Sequence, residues 1–167
     1  MNDIFGRIVS IVLLIIALVA VPFILFLQKT EAIKQSMMET AAIEFIDNCR
    51  GTGRISPEAY ESMYKEISKY VEFAEIKLTH SSKMVGYTDG DTIDYYVDYN
   101  NDEILNVMYE TDSTKNIDYK LRNGDELTIT VRNTRPTIAT RLTPGGKSRT
   151  SMFYTYSGTV GNYSEND

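Results

Sequence analysis

IVSIVLLIIALVAVPFILFL, residues Ile8 to Leu27, carries no charge and one polar side chain, Ser10. About 20 apolar residues at ~1.5 Å rise each cover ~30 Å, the thickness of a bilayer's hydrocarbon core. The run is apolar on all sides, so it has no stripe to turn toward a soluble core. It predicts a transmembrane helix with Ile8, Leu14, Pro22 and Leu27 in lipid. Pro22 frees the carbonyl four residues back, at Leu18, and predicts a bend there.

The run is longer than the apolar core of a removable signal peptide, and Val21 to Leu27 continue it past the small residue Ala20. A retained anchor is expected. Arg7 flanks one end and Lys29 and Lys34 the other, so flanking charge is balanced. The long side is acidic and rich in Thr, Tyr and Asn, which places residues 1–7 inside and the C-terminal part outside the cell membrane.

The chain has 167 residues and a formal net charge of −6. Beyond the anchor that suffices for one small domain. No basic stripe exists to neutralise phosphates, so nucleic acid is excluded as a partner. The expected partners are membrane lipid and other protein subunits.

Residues 28–50 continue the helix without Gly or Pro. Ile33, Met37, Ala41 and Phe45 recur every four residues, beside Met38, Ala42, Ile46 and Cys49. This is an amphipathic face for head packing or for assembly. Anchor and amphipathic half together predict a rod ~70 Å long.

Gly51-Thr52-Gly53 stops the rod. Ser56-Pro57-Glu58 opens a second helix, with Ser56 as N-cap and Pro57 in the first turn. From Val71 the period changes to alternation and predicts a strand to Thr79. Ser81 to Asp91 reads as a polar loop, Thr92 to Tyr99 as a second strand or extended segment, and Asn101-Asp102-Glu103 as the cap of a short helix over Ile104 to Tyr109, with a strand as the alternative. Asp118 to Asn133 reads as a hairpin about the Asn123-Gly124 turn pair, with Leu127, Ile129 and Val131 on one face. Ser151 to Val160 is the last strand, with Met152, Tyr154 and Tyr156 on one side; residues 161–167 are a tail. The fold class is therefore α+β: a long N-terminal helix, a short second helix and an antiparallel sheet head over residues 51–160.

The order of these elements, with EFIDNCRGTGRISPEAYESMYKEI (Glu44 to Ile67), YKLRNGDELTITVRN and SMFYTYSGTVGN, resembles pilin-like proteins of Gram-positive tight-adherence-type pilus clusters. The resemblance implies a minor pilin or pseudopilin, a non-enzymatic structural subunit whose partners are other pilin-like subunits or assembly proteins. One departure stands out. The apolar run holds no carboxylate, and Ile11 occupies the fifth position after Gly6, where type IV pilins carry a Glu.

Sites with chemistry are few. His80 is the single histidine, which rules out a multi-His zinc site. Cys49 lies on the apolar side of its helix, as an inert buried thiol would. Asp89, Asp91 and Asp94 are calcium candidates in the acidic stretch 89–103, but the EF-hand spacing fails, with Glu103 where the loop needs Gly. That stretch carries the alternative reading, a membrane-tethered ligand or ion sensor. No cofactor is implied.

Overall fold

The computed structural model describes residues 2–88, 91–109, 117–135, 137 and 152–161. Its first element, α1 (Asn2–Thr52), is one helix of 51 residues. It continues unbroken through Pro22. It ends where Gly53, at φ 64°, donates its N–H to the Cys49 carbonyl at 2.9 Å. Of the two glycines in the stop signal, only Gly53 makes the left-handed cap; Gly51 is still helical.

After the short β1 (Arg54–Ile55), α2 (Pro57–Tyr70) opens as expected. The Ser56 side chain accepts from the Ala59 N–H, and Pro57 sits in the first turn. Then come β2 (Ala74–Thr88), β3 (Asp91–Tyr99), α3 (Asn101–Met108), β4 (Tyr119–Lys120), β5 (Glu126–Asn133) and β6 (Phe153–Thr159). The helix α3 is capped by Asn100, one residue earlier than expected, in a reciprocal capping box with Glu103. The side chain of Asn101 instead accepts from the Leu78 N–H.

The main sheet is antiparallel with four strands in the order β3-β2-β5-β6; β1 and β4 form a two-stranded sheet of their own. Two expectations are overturned here. Residues 81–88 are not a loop but the second half of the 15-residue β2, paired from Ser81↔Asp98 to Thr88↔Asp91. Their polar side chains fit a strand because alternate positions face water. Residues 118–133 are not a hairpin. The turn is present, with Gly124 at φ 89° and the Asp125 N–H bonded to the Arg122 carbonyl. Its two arms, however, enter different sheets: β4 pairs with β1, and β5 with β2 and β6. The tail from Asn162 lies outside the described residues.

The core lies between one sheet face and the helices. Ile76 and Leu78 of β2 and Leu127, Ile129 and Val131 of β5 are buried. Against them pack Met38, Ala42, Ile46 and Cys49 of α1, Met63 and Ile67 of α2, and Ile104 and Met108 of α3. Each such large side chain contributes about 1.5–3 kcal/mol by leaving water. The strand β6 lies along α1 in the same direction: Tyr154 sits within electrostatic reach of Glu39, while Gly158 abuts Arg50 and Ile46.

Candidate functional site

Helix α1 carries the surface of most functional interest. It is long and apolar enough to cross a membrane, and none of its apolar window is buried within the molecule. Such a helix is compatible with a membrane anchor or a signal sequence. Ile8, Leu14 and Pro22 are exposed along it and Leu27 is only half-covered. The first buried residue along it is Met38, which is fully covered.

The four residues expected to form one face divide at that point. Ala41 and Phe45 are buried in the head, Phe45 edge-on to Tyr60 at 6.4 Å. Ile33 and Met37 are 52% and 47% exposed. Head packing is therefore the task of Met38, Ala41, Ala42, Phe45, Ile46 and Cys49, and Ile33 and Met37 take no part in it. They stand one helical turn apart on the bare stem between the apolar run and the head.

The far end of α1 is clamped. Arg50 Nε donates to the Thr159 carbonyl at 2.7 Å, and its guanidinium pairs with Asp47 at 3.0 Å. Gly158 has no side chain because Arg50 and Ile46 occupy that space. The Ser-Gly-x-Val pattern of the last strand thus has a local cause.

A second cluster is buried beside the clamp. His80 and Ser82 follow Ile76 and Leu78 on the inward face of β2. His80 Nε2 lies 2.8 Å from Asp125 Oδ2, and Nδ1 lies 2.8 Å from the Tyr119 hydroxyl. Since an ionised carboxylate only accepts, Nε2 carries a proton and donates it to Asp125. The Asp125 carboxylate also accepts from the Ser82 hydroxyl, the Lys83 N–H and the Arg122 N–H. Tyr99 stacks on the imidazole at 5.4 Å. Burial pushes the Asp125 carboxyl up, but the bonds from Arg122, His80, Lys83 and Ser82 outweigh it and hold the carboxyl below its ordinary value. Burial pushes the Tyr119 phenol up to about 12.

This wiring does not build a nucleophile. Ser82 donates to the carboxylate rather than to the imidazole, and the second imidazole nitrogen is taken by Tyr119. Its effect is structural. The cluster ties β2, β4 and the Arg122–Asp125 turn together where the two sheets meet. The sequence reading dismissed His80 because it is alone. The alternation Ile76, Leu78, His80, Ser82 was the signal that it faces inward, toward a partner distant in sequence.

Of the calcium candidates, Asp91 and Asp94 do not converge. Asp91 pairs across from Thr88 and Asp94 across from Val85, which places them on opposite faces of the β2–β3 ribbon. Asp94 is also bonded to Lys83 Nζ at 2.8 Å. Asp89 lies outside the described residues. Among the described residues no group of three or more His, Cys, Asp or Glu is placed to hold a metal ion. Cys49 is buried, and burial raises its thiol to about 12. A shallow groove between α1 and α2, lined by Glu44, Phe45, Asn48, Ala59, Met63 and Glu66, holds no such constellation either.

Comparison with protein families, with characterised proteins and with solved structures found no match.

Proposed function

We propose that the chain is a single-pass, membrane-anchored structural protein with a pilin-like role: a minor subunit or scaffold of a type IV or tight-adherence-like pilus or secretion apparatus. The anchor is the apolar half of α1, the head is extracytoplasmic, and the neighbours are pilin-like subunits or assembly proteins. One observation carries this reading. A single helix joins an apolar half, none of it buried among the described residues, to a half docked on the sheet. A rigid helix continuous from membrane to head holds the head at a fixed height and angle, which a flexible tether does not. It also leaves Ile33 and Met37 as apolar surface at the level where neighbouring stems would run side by side.

The test is alkaline carbonate extraction of native membranes, with protease added from outside intact cells. The proposal expects the protein in the membrane pellet and a head digested from outside. A protein released by carbonate, or a head cleaved only after lysis, contradicts it.

A further inference from the structure

The main sheet leaves one edge open. β6, at one side, lies along α1, whereas among the described residues no strand pairs with the outer edge of β3. β2 pairs with β5 only as far as Ser81↔Glu126, but with β3 as far as Thr88↔Asp91. Residues 82–88 and 91–97 therefore extend past the other strands as a two-stranded ribbon. Tyr154 lies near Glu39 and Gly158 abuts Arg50, so β6 runs parallel to α1. β5 opposes β6 and β2 opposes β5, so β2 carries the ribbon away from the apolar half of α1.

Edge strands are ordinarily blunted by a proline, a bulge or free charge. β3 has no proline and pairs with β2 without a bulge along all 9 of its residues. Two of its aspartates are already held by β2: Asp94 pairs with Lys83 Nζ at 2.8 Å, and Asp98 accepts from the Ser81 hydroxyl. Both lie on the face turned away from the helices, with Thr92 and Tyr96. Ile93, Tyr95 and Val97 lie on the other face, which continues from His80 and Ser82; Ile93 and Tyr95 are about half exposed. The open edge thus offers unpaired backbone groups to a further extended strand.

The side chains of the edge select its occupant. Tyr95 is the middle residue of β3 (Asp91–Tyr99). Two antiparallel copies of β3 related by a two-fold axis at Tyr95 therefore pair over the whole strand, and opposed residues share a face. On one face Tyr95 meets Tyr95 and Ile93 meets Val97, which are favourable aromatic and β-branched pairs. On the other face Asp94 meets Tyr96 and Thr92 meets Asp98. Asp91 meets Tyr99, so no two carboxylates stand opposed. Moving the axis to Asp94 sets that residue against its own copy, and moving it to Tyr96 sets Asp94 against Asp98; like charges directly opposite destabilise. Larger shifts leave only about half of the strand paired. The Tyr95 ring lies over Gly86 of its own β2, which leaves room at the axis.

We infer that the β3 edge pairs with β3 of a second copy about Tyr95, joining the two main sheets into one. The contact is isologous, so it closes as a dimer. It is antiparallel, so the two α1 stems leave in opposite directions. The membrane consequence rests on the anchored reading of α1: copies side by side in one bilayer cannot form this pair, and copies on two facing bilayers can. The contact is distinct from stem packing through Ile33 and Met37.

The experiment uses the full chain in detergent, with Cys49→Ser throughout and a short bis-maleimide. Tyr95→Cys is expected to give a self-adduct, and Ile93→Cys mixed with Val97→Cys a mixed one. Ile93→Cys alone, whose two copies lie about four residues apart across the axis, should give at least fivefold less. Thr92→Asp, which faces Asp98 of the other copy, should lower the Tyr95→Cys adduct at least fivefold, whereas Thr92→Lys keeps it. A Tyr95→Cys adduct no stronger than that of Ile93→Cys alone overturns the inference, as does one indifferent to Thr92→Asp in protein that melts like the parent. The full chain is then placed in bilayer vesicles with protease-accessible heads. These should cluster, and vesicles carrying Thr92→Asp should not. Vesicles that hold the protein yet stay apart overturn the opposed-stem geometry. Protein that does not float with the vesicles contradicts the anchored reading instead, and the detergent adducts decide the edge pairing without it.

Discussion

A Cβ placed on Gly158 would lie 2.3 Å from Cδ of Arg50 and 2.8 Å from its Nε. The last strand crosses the end of α1 at a distance only a glycine permits, and the same Arg50 Nε holds the Thr159 carbonyl at 2.7 Å. Gly158→Ala forces Arg50 out of that place. The expected cost is about 1–3 kcal/mol, the usual range for overpacking. Thermal unfolding in detergent reads it. Because the two closest contacts are with Arg50 and the Ile46 Cγ2 contact is looser at 3.0 Å, the cost should shrink in an Arg50→Ala background. An equal cost in both backgrounds sinks this account of the clamp.

Asp125 accepts from three donors on β2 and one in the Arg122–Asp125 turn. Asp125→Ala leaves them buried and unmatched, at about 1–3 kcal/mol for each that finds no water. The variant is expected to lose several degrees of Tm. Ser82→Ala, which removes a single donor, should cost no more than ~1.5 kcal/mol.

The same carboxylate sets an acid limit. Its folded pKa lies below the ordinary value of ~3.9, so its contribution is present above ~pH 4 and is lost as the pH falls through the folded value. Tm of the parent should drop below ~pH 4, and Asp125→Asn should flatten that drop while lowering Tm at neutral pH. A parallel acid limb in both proteins would assign the effect to other carboxylates.

Met37 and Met38 are chain neighbours with opposite fates, the first 47% exposed and the second fully buried. Met38→Ala should destabilise the head by about 2–5 kcal/mol. Met37→Ala should stay within ~0.5 kcal/mol. Equal effects on denaturant midpoints would mean that the helix is rotated from the position described.

Cys49 is buried with its thiol raised to about 12, so little thiolate exists at neutral pH. An aromatic disulfide reagent should leave it unmodified in the folded protein and react fully in denaturant.

Much of this architecture was legible in the sequence because it follows from local period. The apolar run, the amphipathic continuation, the Ser56-Pro57 helix start and the inward alternation of Leu127, Ile129 and Val131 each need only a short window. What was not legible depends on partners far along the chain. The polar stretch from Ser81 to Thr88 is a strand because β3 returns along it, and no short window shows that return. The Asn123-Gly124 turn signal was read correctly as a turn and wrongly as a hairpin, since a turn does not specify which strands its arms pair with. The divided fate of Ile33, Met37, Ala41 and Phe45 has a similar cause. Periodicity gives a face of a helix but not the point at which the head begins to cover it. His80 became informative only with Asp125 beside it, 45 residues away.

The central claim is that α1 organises neighbours along its bare stem. It is tested most directly by cross-linking in native membranes, with Met37→Cys and Met38→Cys proteins each carrying Cys49→Ser. The account predicts adducts between neighbouring stems through position 37 and none through position 38. Membrane-inserted protein that gives no adduct at position 37, with the head folded, would contradict it.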